Sequence, residues 1–256
     1  MPPSIWTRCG GRSNARELRC APWRVVEGQR IISTRSLVDS DAEPDLLEEL
    51  IDASKPALPP EPAFAGLHYL LYTPFRYPPL RHGSRFGRRH ERALWYGAEE
   101  LDTALAEVAY YRLLFFEGTA AELAPDTITV SAFQARVRTS AGVDLTQPVF
   151  KPYLAKLCSK TSYALSQALG SEMRADGIEA VRYPSARAPG RGLNVALFTP
   201  AAFAARRPVG APQTWYCTVT PTRDVEFRRE AGTGVQKVDF PRQAFLVKGA
   251  LPVPAL

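Results

Sequence analysis

Residues 76–112 read RYPPLRHGSRFGRRHERALWYGAEELDTALAEVAYYR. Arg76, Arg81, Arg85, Arg88 and Arg89 crowd a turn that contains Gly83 and Gly87. A short aromatic strand, ALWYG at 93–97, follows, and then a helix over 99–116. Leu101, Leu105, Val108, Arg112 and Phe115 recur at helical spacing, and Ala104 and Tyr111 widen that stripe. Glu99, Glu100 and Asp102 occupy the first turns, where the helix dipole favours acids. Glu107 lies beside the stripe, a position that suits either the rim of a cleft or open solvent; helical position alone favours solvent. Arginine grips phosphate with paired, planar donors. A basic turn that faces one carboxylate therefore points to a site for a phosphate-bearing small molecule.

Working outward, 63–75 reads as a buried strand that enters the basic turn. Residues 21–34 read as two short strands around Glu27 and Gly28, 41–53 as a helix, and 55–62 as a stiff proline-rich linker. These features set residues 1–62 apart as an extension packing on a main body of 63–256. Downstream, 127–138 alternates as a strand whose phase slips by one residue, as a β-bulge would produce. Residues 153–176 read as helix broken near Gly170. Strands over 178–183 and 193–199 flank a second loop rich in Gly and Arg, 184–192, which presents Ser185. Further strands fall at 215–219, 225–228 and 236–247. Strands and helices do not alternate regularly and no internal repeat exists. The class is α+β, with mixed, mainly antiparallel sheets and flanking helices.

Composition narrows the function classes. The chain has 256 residues and a formal net charge of +6, and most of its basic residues are arginine. That balance suits an anionic partner, nucleic acid or a phosphorylated metabolite. No helix-turn-helix with a basic recognition helix and no basic tail is visible, which argues against direct nucleic-acid binding. Cys9, Cys20, Cys158 and Cys217 form no Cys-x-x-Cys pair and have no histidine at ligand spacing, so neither a metal site nor a disulfide scaffold is expected. No apolar run is long enough to span a bilayer, and residues 1–20 lack a signal-peptide core, so a cytoplasmic protein is expected. His68, His82 and His90 are the only histidines; they read as structural or surface residues, with His82 the exception to watch because it lies in the basic turn.

The ordered set of these pieces resembles the RES domain, a bacterial family. GSRFG at 83–87 resembles the family's Gly-Gly-Arg-Trp/Phe-Asn turn. LWYGAEELDTALAEV at 94–108 carries Tyr96 and Glu107 in the family's order, and RYPSAR at 182–187 precedes the strand LNVALF at 193–198. The resemblance covers roughly residues 67–200. Gly87 stands where the family has Asn, the following RRHER is unusually basic, and residues 1–60 lie outside the minimal domain.

The resemblance implies an ADP-ribosyltransferase-like fold that consumes NAD+, in the toxin of a toxin–antitoxin pair neutralised by an Xre-like helix-turn-helix antitoxin. No cofactor is implied: NAD+ is a substrate, with inorganic phosphate as a candidate co-substrate. Arg85, Glu107 and Ser185 become the expected catalytic residues. Arg76, Arg81, Tyr96, Arg187 and Asn194 become the expected NAD+-binding residues. Glu107 would stabilise the oxocarbenium-like charge that grows on the ribose as the nicotinamide leaves, or order the ribose hydroxyls. Arg85, helped by Arg76 or Arg81, would hold the pyrophosphate or an attacking phosphate. Tyr96 would stack on the nicotinamide or shield the reacting centre. Ser185, with Arg187 or Asn194, would bind substrate or orient the nucleophile; no His or Lys base stands near it in sequence, which argues against a covalent serine mechanism. Phosphorolysis or hydrolysis of NAD+ is the leading expectation and ADP-ribosylation of a macromolecule the alternative. A homodimer is left open.

Overall fold

A computed structural model of the chain describes residues 3–28, 55–119, 124–190, 192–232 and 234–253. Among these residues ten strands form a single sheet. They are β1 (Arg16–Cys20), β2 (Trp23–Glu27), β3 (Trp95–Ala98), β4 (Asp126–Gln134), β5 (Val137–Asp144), β6 (Ala180–Pro184), β7 (Leu193–Leu197), β8 (Val209–Val219), β9 (Val225–Ala231) and β10 (Gly234–Phe240). Their order across the sheet is β1-β5-β6-β7-β3-β2-β4-β8-β9-β10. The β5–β6 pair is parallel, and the other neighbours are antiparallel. The helices are α1 (Ile5–Arg8), α2 (Tyr69–Arg76), α3 (Leu101–Gly118), α4 (Leu154–Leu157) and α5 (Ala164–Ala175). This is the expected α+β class. Strands β1 and β2, both from the leading segment, belong to the sheet, and β2 is an internal strand. The helix expected at 41–53 lies outside the described residues.

Four expectations change, the first being that the strand expected at 236–247 stops at Phe240, ahead of a 3-10 turn over Arg242–Phe245. Residues 63–75 are not a strand: 62–64 form a 3-10 turn and α2 follows. Leu67, Leu70, Leu71 and Phe75 are buried, at spacings that place them on one face of a helix. His68 starts that helix by accepting the Leu70 amide at Nδ1. A short apolar run does not by itself distinguish helix from strand. Next, 127–138 is two strands, β4 and β5, that part at Ala135, whose amide turns to the Pro22 carbonyl. The phase slip survives as a register shift between Ala132 and Gln134 against β8. Finally, the helix break falls between Leu157 and Ala164, not at Gly170. Gly170 sits inside α5, because a Cβ there would run into the Phe86 carbonyl of the basic turn.

The position of α3 matters most. Its core face is Leu105, Ala106, Ala109, Tyr110, Leu113 and Phe116, packed with Val130, Trp215, Cys217 and Phe227 on the sheet. Burying a large apolar side chain of this kind contributes about 1.5–3 kcal/mol. The stripe read from the sequence lies to one side of this face, and Phe115 and Tyr111 are exposed. Tyr183, Asn194, Ala98 and Trp23 stand in register across β6, β7, β3 and β2. That register is the single pairing between β2 and β3, so the two strands part beyond it.

Candidate active site

A cavity of about 430 Å³ opens where β2 and β3 part, between α3 and the segment 78–94. Ala104, Glu107, Val108 and Tyr111 of α3 line it. Their spacing of three and four residues makes them a second stripe of the same helix. The helix is thus apolar on two sides, one against the core and one against the cavity, and Glu107 is the acid of the cavity side.

Two partners hold Glu107. Ser185 Oγ donates to Glu107 Oε1 at 2.6 Å, and Asn194 Nδ2 donates to the same oxygen at 2.7 Å. Ser185 reaches this point because the loop 184–192 closes on itself: the Ser185 amide donates to the Gly192 carbonyl at 2.7 Å. At Gly192 the backbone presses close on α3, where a Cβ would meet the Thr103 hydroxyl. Ser185 Oγ also accepts the amides of Arg187 and Ala188, at 3.0 and 2.9 Å. Its hydrogen-bonding capacity is therefore spent on holding Glu107 and the loop. Asn194 is 4% exposed, and its Oδ1 has no partner among the described residues. A buried acceptor left unpaired costs about 1–3 kcal/mol, which a hydroxyl donor from a ligand would recover.

Arg85 is 7% exposed and lines the cavity. Its Nη1 donates to the carbonyls of Leu157 and Ser159 at 3.1 and 3.0 Å, and its guanidinium stacks 4.8 Å from the centre of the Tyr163 ring. Burial alone would lower its pKa, but Tyr163, Tyr183 and Glu107 around it outweigh that and raise it. With one nitrogen fixed by carbonyls and no carboxylate partner among the described residues, Arg85 is oriented yet still able to meet an anion. The turn that carries it is clamped. Gln167 Nε2 donates to the carbonyls of His82 and Ser84 at 2.9 and 3.0 Å. The Tyr96 hydroxyl donates to Ser84 Oγ at 2.8 Å and accepts the Phe86 amide at 3.1 Å. Burial pushes the Tyr96 phenol up to about 12.

Of the residues expected from sequence, Arg85, Glu107, Tyr96 and Asn194 line one cavity, and Ser185 joins them through Glu107. Three others do not line it. Arg76 donates through Nε to the Pro56 carbonyl, and Arg81 is exposed. Arg187 is 2% exposed, and its guanidinium lies 3.6 Å from the Tyr110 ring centre. His82 is also off the cavity lining. Sequence reasoning missed Arg24, Tyr111, Tyr163 and Tyr183, which all line the cavity. Arg24 donates to the Tyr96 carbonyl at 2.6 Å, and burial lowers its pKa to about 10. No local pattern marks Arg24, which is one basic residue in a five-residue strand; the i+4 spacing from Glu107 could have flagged Tyr111. Among the described residues no cluster of His, Cys, Asp and Glu could hold a metal ion, and no helix is long and apolar enough to cross a membrane.

The RES domain family model matches residues 60–220, well over half of the chain. The chain belongs to the RES domain family. The match takes in Arg85, Tyr96, Glu107, Ser185, Arg187 and Asn194, and it begins beyond β2, so Arg24 reaches a RES domain cavity from outside the matched residues. No curated protein matches the chain. Among solved structures, the chain is similar to one from the crystal structure of the M. tuberculosis MbcT–MbcA toxin–antitoxin complex. The identity is 17%, the TM-score 0.42, and the alignment covers 85% of this chain and 92% of that one.

Proposed function

We propose that this RES domain protein cleaves the bond between nicotinamide and ribose in NAD+, passing the ADP-ribosyl group to phosphate or water. The observation that carries this reading is Glu107, held at one oxygen by Ser185 and Asn194 in a cavity that also contains Arg85. As the glycosidic bond breaks, its electron pair leaves with the nicotinamide and positive charge grows on the ribose. The Glu107 carboxylate faces that charge. Asn194 Oδ1 accepts a ribose hydroxyl, and Arg85, with Arg24 on the other wall, holds phosphate oxygens. The acceptor then bonds to the ribose carbon; phosphate yields ADP-ribose phosphate, and water yields ADP-ribose and a proton. Ser185 acts through Glu107 as a positioning residue, and Tyr96 acts through the turn that carries Arg85. Residues 1–62 serve as an extension of the 63–256 domain, completing its sheet with β1 and β2 and its cavity with Arg24.

Membership of the RES domain family also supports a toxin's role, with a helix-turn-helix antitoxin covering the cleft between the 76–92 and 185–192 loops. A complex in which this cleft stays open would count against that partner. For the reaction, purified protein is incubated with NAD+, with and without inorganic phosphate, and nicotinamide release is followed. Release that depends on phosphate identifies a phosphorylase, and release without it a glycohydrolase. Label that moves to a macromolecule would replace both with ADP-ribosyl transfer. No release under any condition sinks the reading.

A further inference from the structure

The cavity holds four tyrosines, and three of them are already committed. The Tyr96 hydroxyl is bonded to Ser84 and Phe86. Tyr183 is buried and packs edge-on against Phe86, with ring centres 4.8 Å apart and planes at 73°. Tyr163 is 3% exposed and carries the Arg85 guanidinium on its ring. Tyr111 differs: it is 45% exposed. It stands one helical turn beyond Glu107 on the cavity face of α3, its hydroxyl is bonded to that of Tyr163, and its ring meets Tyr110 edge-on with centres 5.1 Å apart, so what it offers the cavity is its exposed ring face. Side chains four residues apart on a helix sit about 5–6 Å from one another.

This arrangement sorts the cavity by charge. Arg85 and Arg24 supply its positive groups, and Glu107 with the Tyr111 ring forms a wall of negative potential. The face of an aromatic ring attracts planar cations. A ligand whose phosphates meet the arginines, and whose ribose meets Glu107 and Asn194, places its base at Tyr111.

We propose that Tyr111 is the base-binding residue of the cavity: its ring stacks on the nicotinamide of NAD+, one turn from Glu107. The inference rests on the NAD+ reading and adds a specificity-determining residue to it. The test is equilibrium binding by calorimetry, in a Glu107→Gln background that keeps NAD+ intact, with two ligands, NAD+ and ADP-ribose, which lacks the base. Tyr111→Leu weakens NAD+ by about tenfold and leaves ADP-ribose within about twofold. Tyr111→Phe, which keeps the ring, holds both within about threefold. Because position 111 is half-exposed, the fold tolerates truncation, and Tyr111→Gln gives the same comparison should the leucine variant misfold. Equal weakening of NAD+ and ADP-ribose, or of neither, overturns the proposal. Failure of the Glu107→Gln protein itself to bind either ligand overturns the NAD+ reading with it.

Discussion

Two loops rich in Gly and Arg flank the candidate site, and among the described residues each buries one arginine in its own way. In the 76–92 loop, Arg85 points into the cavity, with two carbonyls on one nitrogen and Tyr163 beneath its plane. In the 184–192 loop, Arg187 turns away under Tyr110, and neither Nη1 nor Nη2 has a partner among the described residues. Both loops combine glycine, proline and arginine, although the first is longer and far richer in arginine. What differs is the element each loop rests on. Gly170 of α5 lets the first loop press close, so that Arg85 crosses to the cavity. Gly192 presses the second against α3, and Ser185 is the residue that emerges at Glu107. One loop delivers a cation, and the other delivers a hydroxyl that holds an acid.

Three sets of variants test this contrast. The largest effect is expected from Arg85→Ala and Glu107→Ala. Each removes a group placed to meet developing or standing charge, and losses of about 100-fold or more in nicotinamide release follow from removing such a group. Circular dichroism should remain native. Loss of folding in either variant would mean that these side chains serve the fold and not the reaction.

A middle-sized effect separates Arg187 from Arg85. Arg187→Met replaces a buried cation without a hydrogen-bond partner by an apolar side chain of similar length. Replacements of buried charge range from neutral to stabilising, and the lost contact with Tyr110 is worth roughly 2 kcal/mol at most. The melting temperature should therefore stay within about 4 °C of the parent, at about 2–4 °C per kcal/mol for a chain of this size. The KM for NAD+ should change less than about threefold, because Arg187 lies off the cavity. A KM raised tenfold or more would show that the 184–192 loop rearranges to bring Arg187 to the substrate, and the contrast between the loops would collapse.

The smallest effect belongs to two exposed arginines of the first loop. Arg81 and Arg88 are exposed. Arg81→Ala and Arg88→Ala should each shift stability by less than about 0.5 kcal/mol, as surface changes do, and leave turnover within about twofold. Steady-state rates at low and moderate salt give the check. A large rate loss confined to low salt would assign these arginines to steering an anionic substrate toward Arg85.

Much of the architecture was legible in the chain itself. Strands β3, β6 and β7, the helix α3 and the loop 184–192 follow from apolar spacing and from glycine and proline punctuation, which act over a few residues. The choice of Glu107, Arg85 and Ser185 came instead from the resemblance to the RES domain, which outweighed a helical position that favoured solvent for Glu107. Three things were decided only by tertiary packing. Tyr111 and Val108 read as core because an apolar residue that faces a cavity has the same spacing as one that faces the interior. Arg24 enters the site from a strand about sixty residues before Arg85, because β2 pairs with β3 at a single position and the two then part. The inward turn of Arg85, while Arg81 and Arg88 stay in solvent, was set by Gln167, Tyr96 and Gly170, contacts far apart in sequence. Periodicity reports which faces of an element are apolar, whereas the match between two distant surfaces decides which of those faces is filled by protein and which is left open for a ligand.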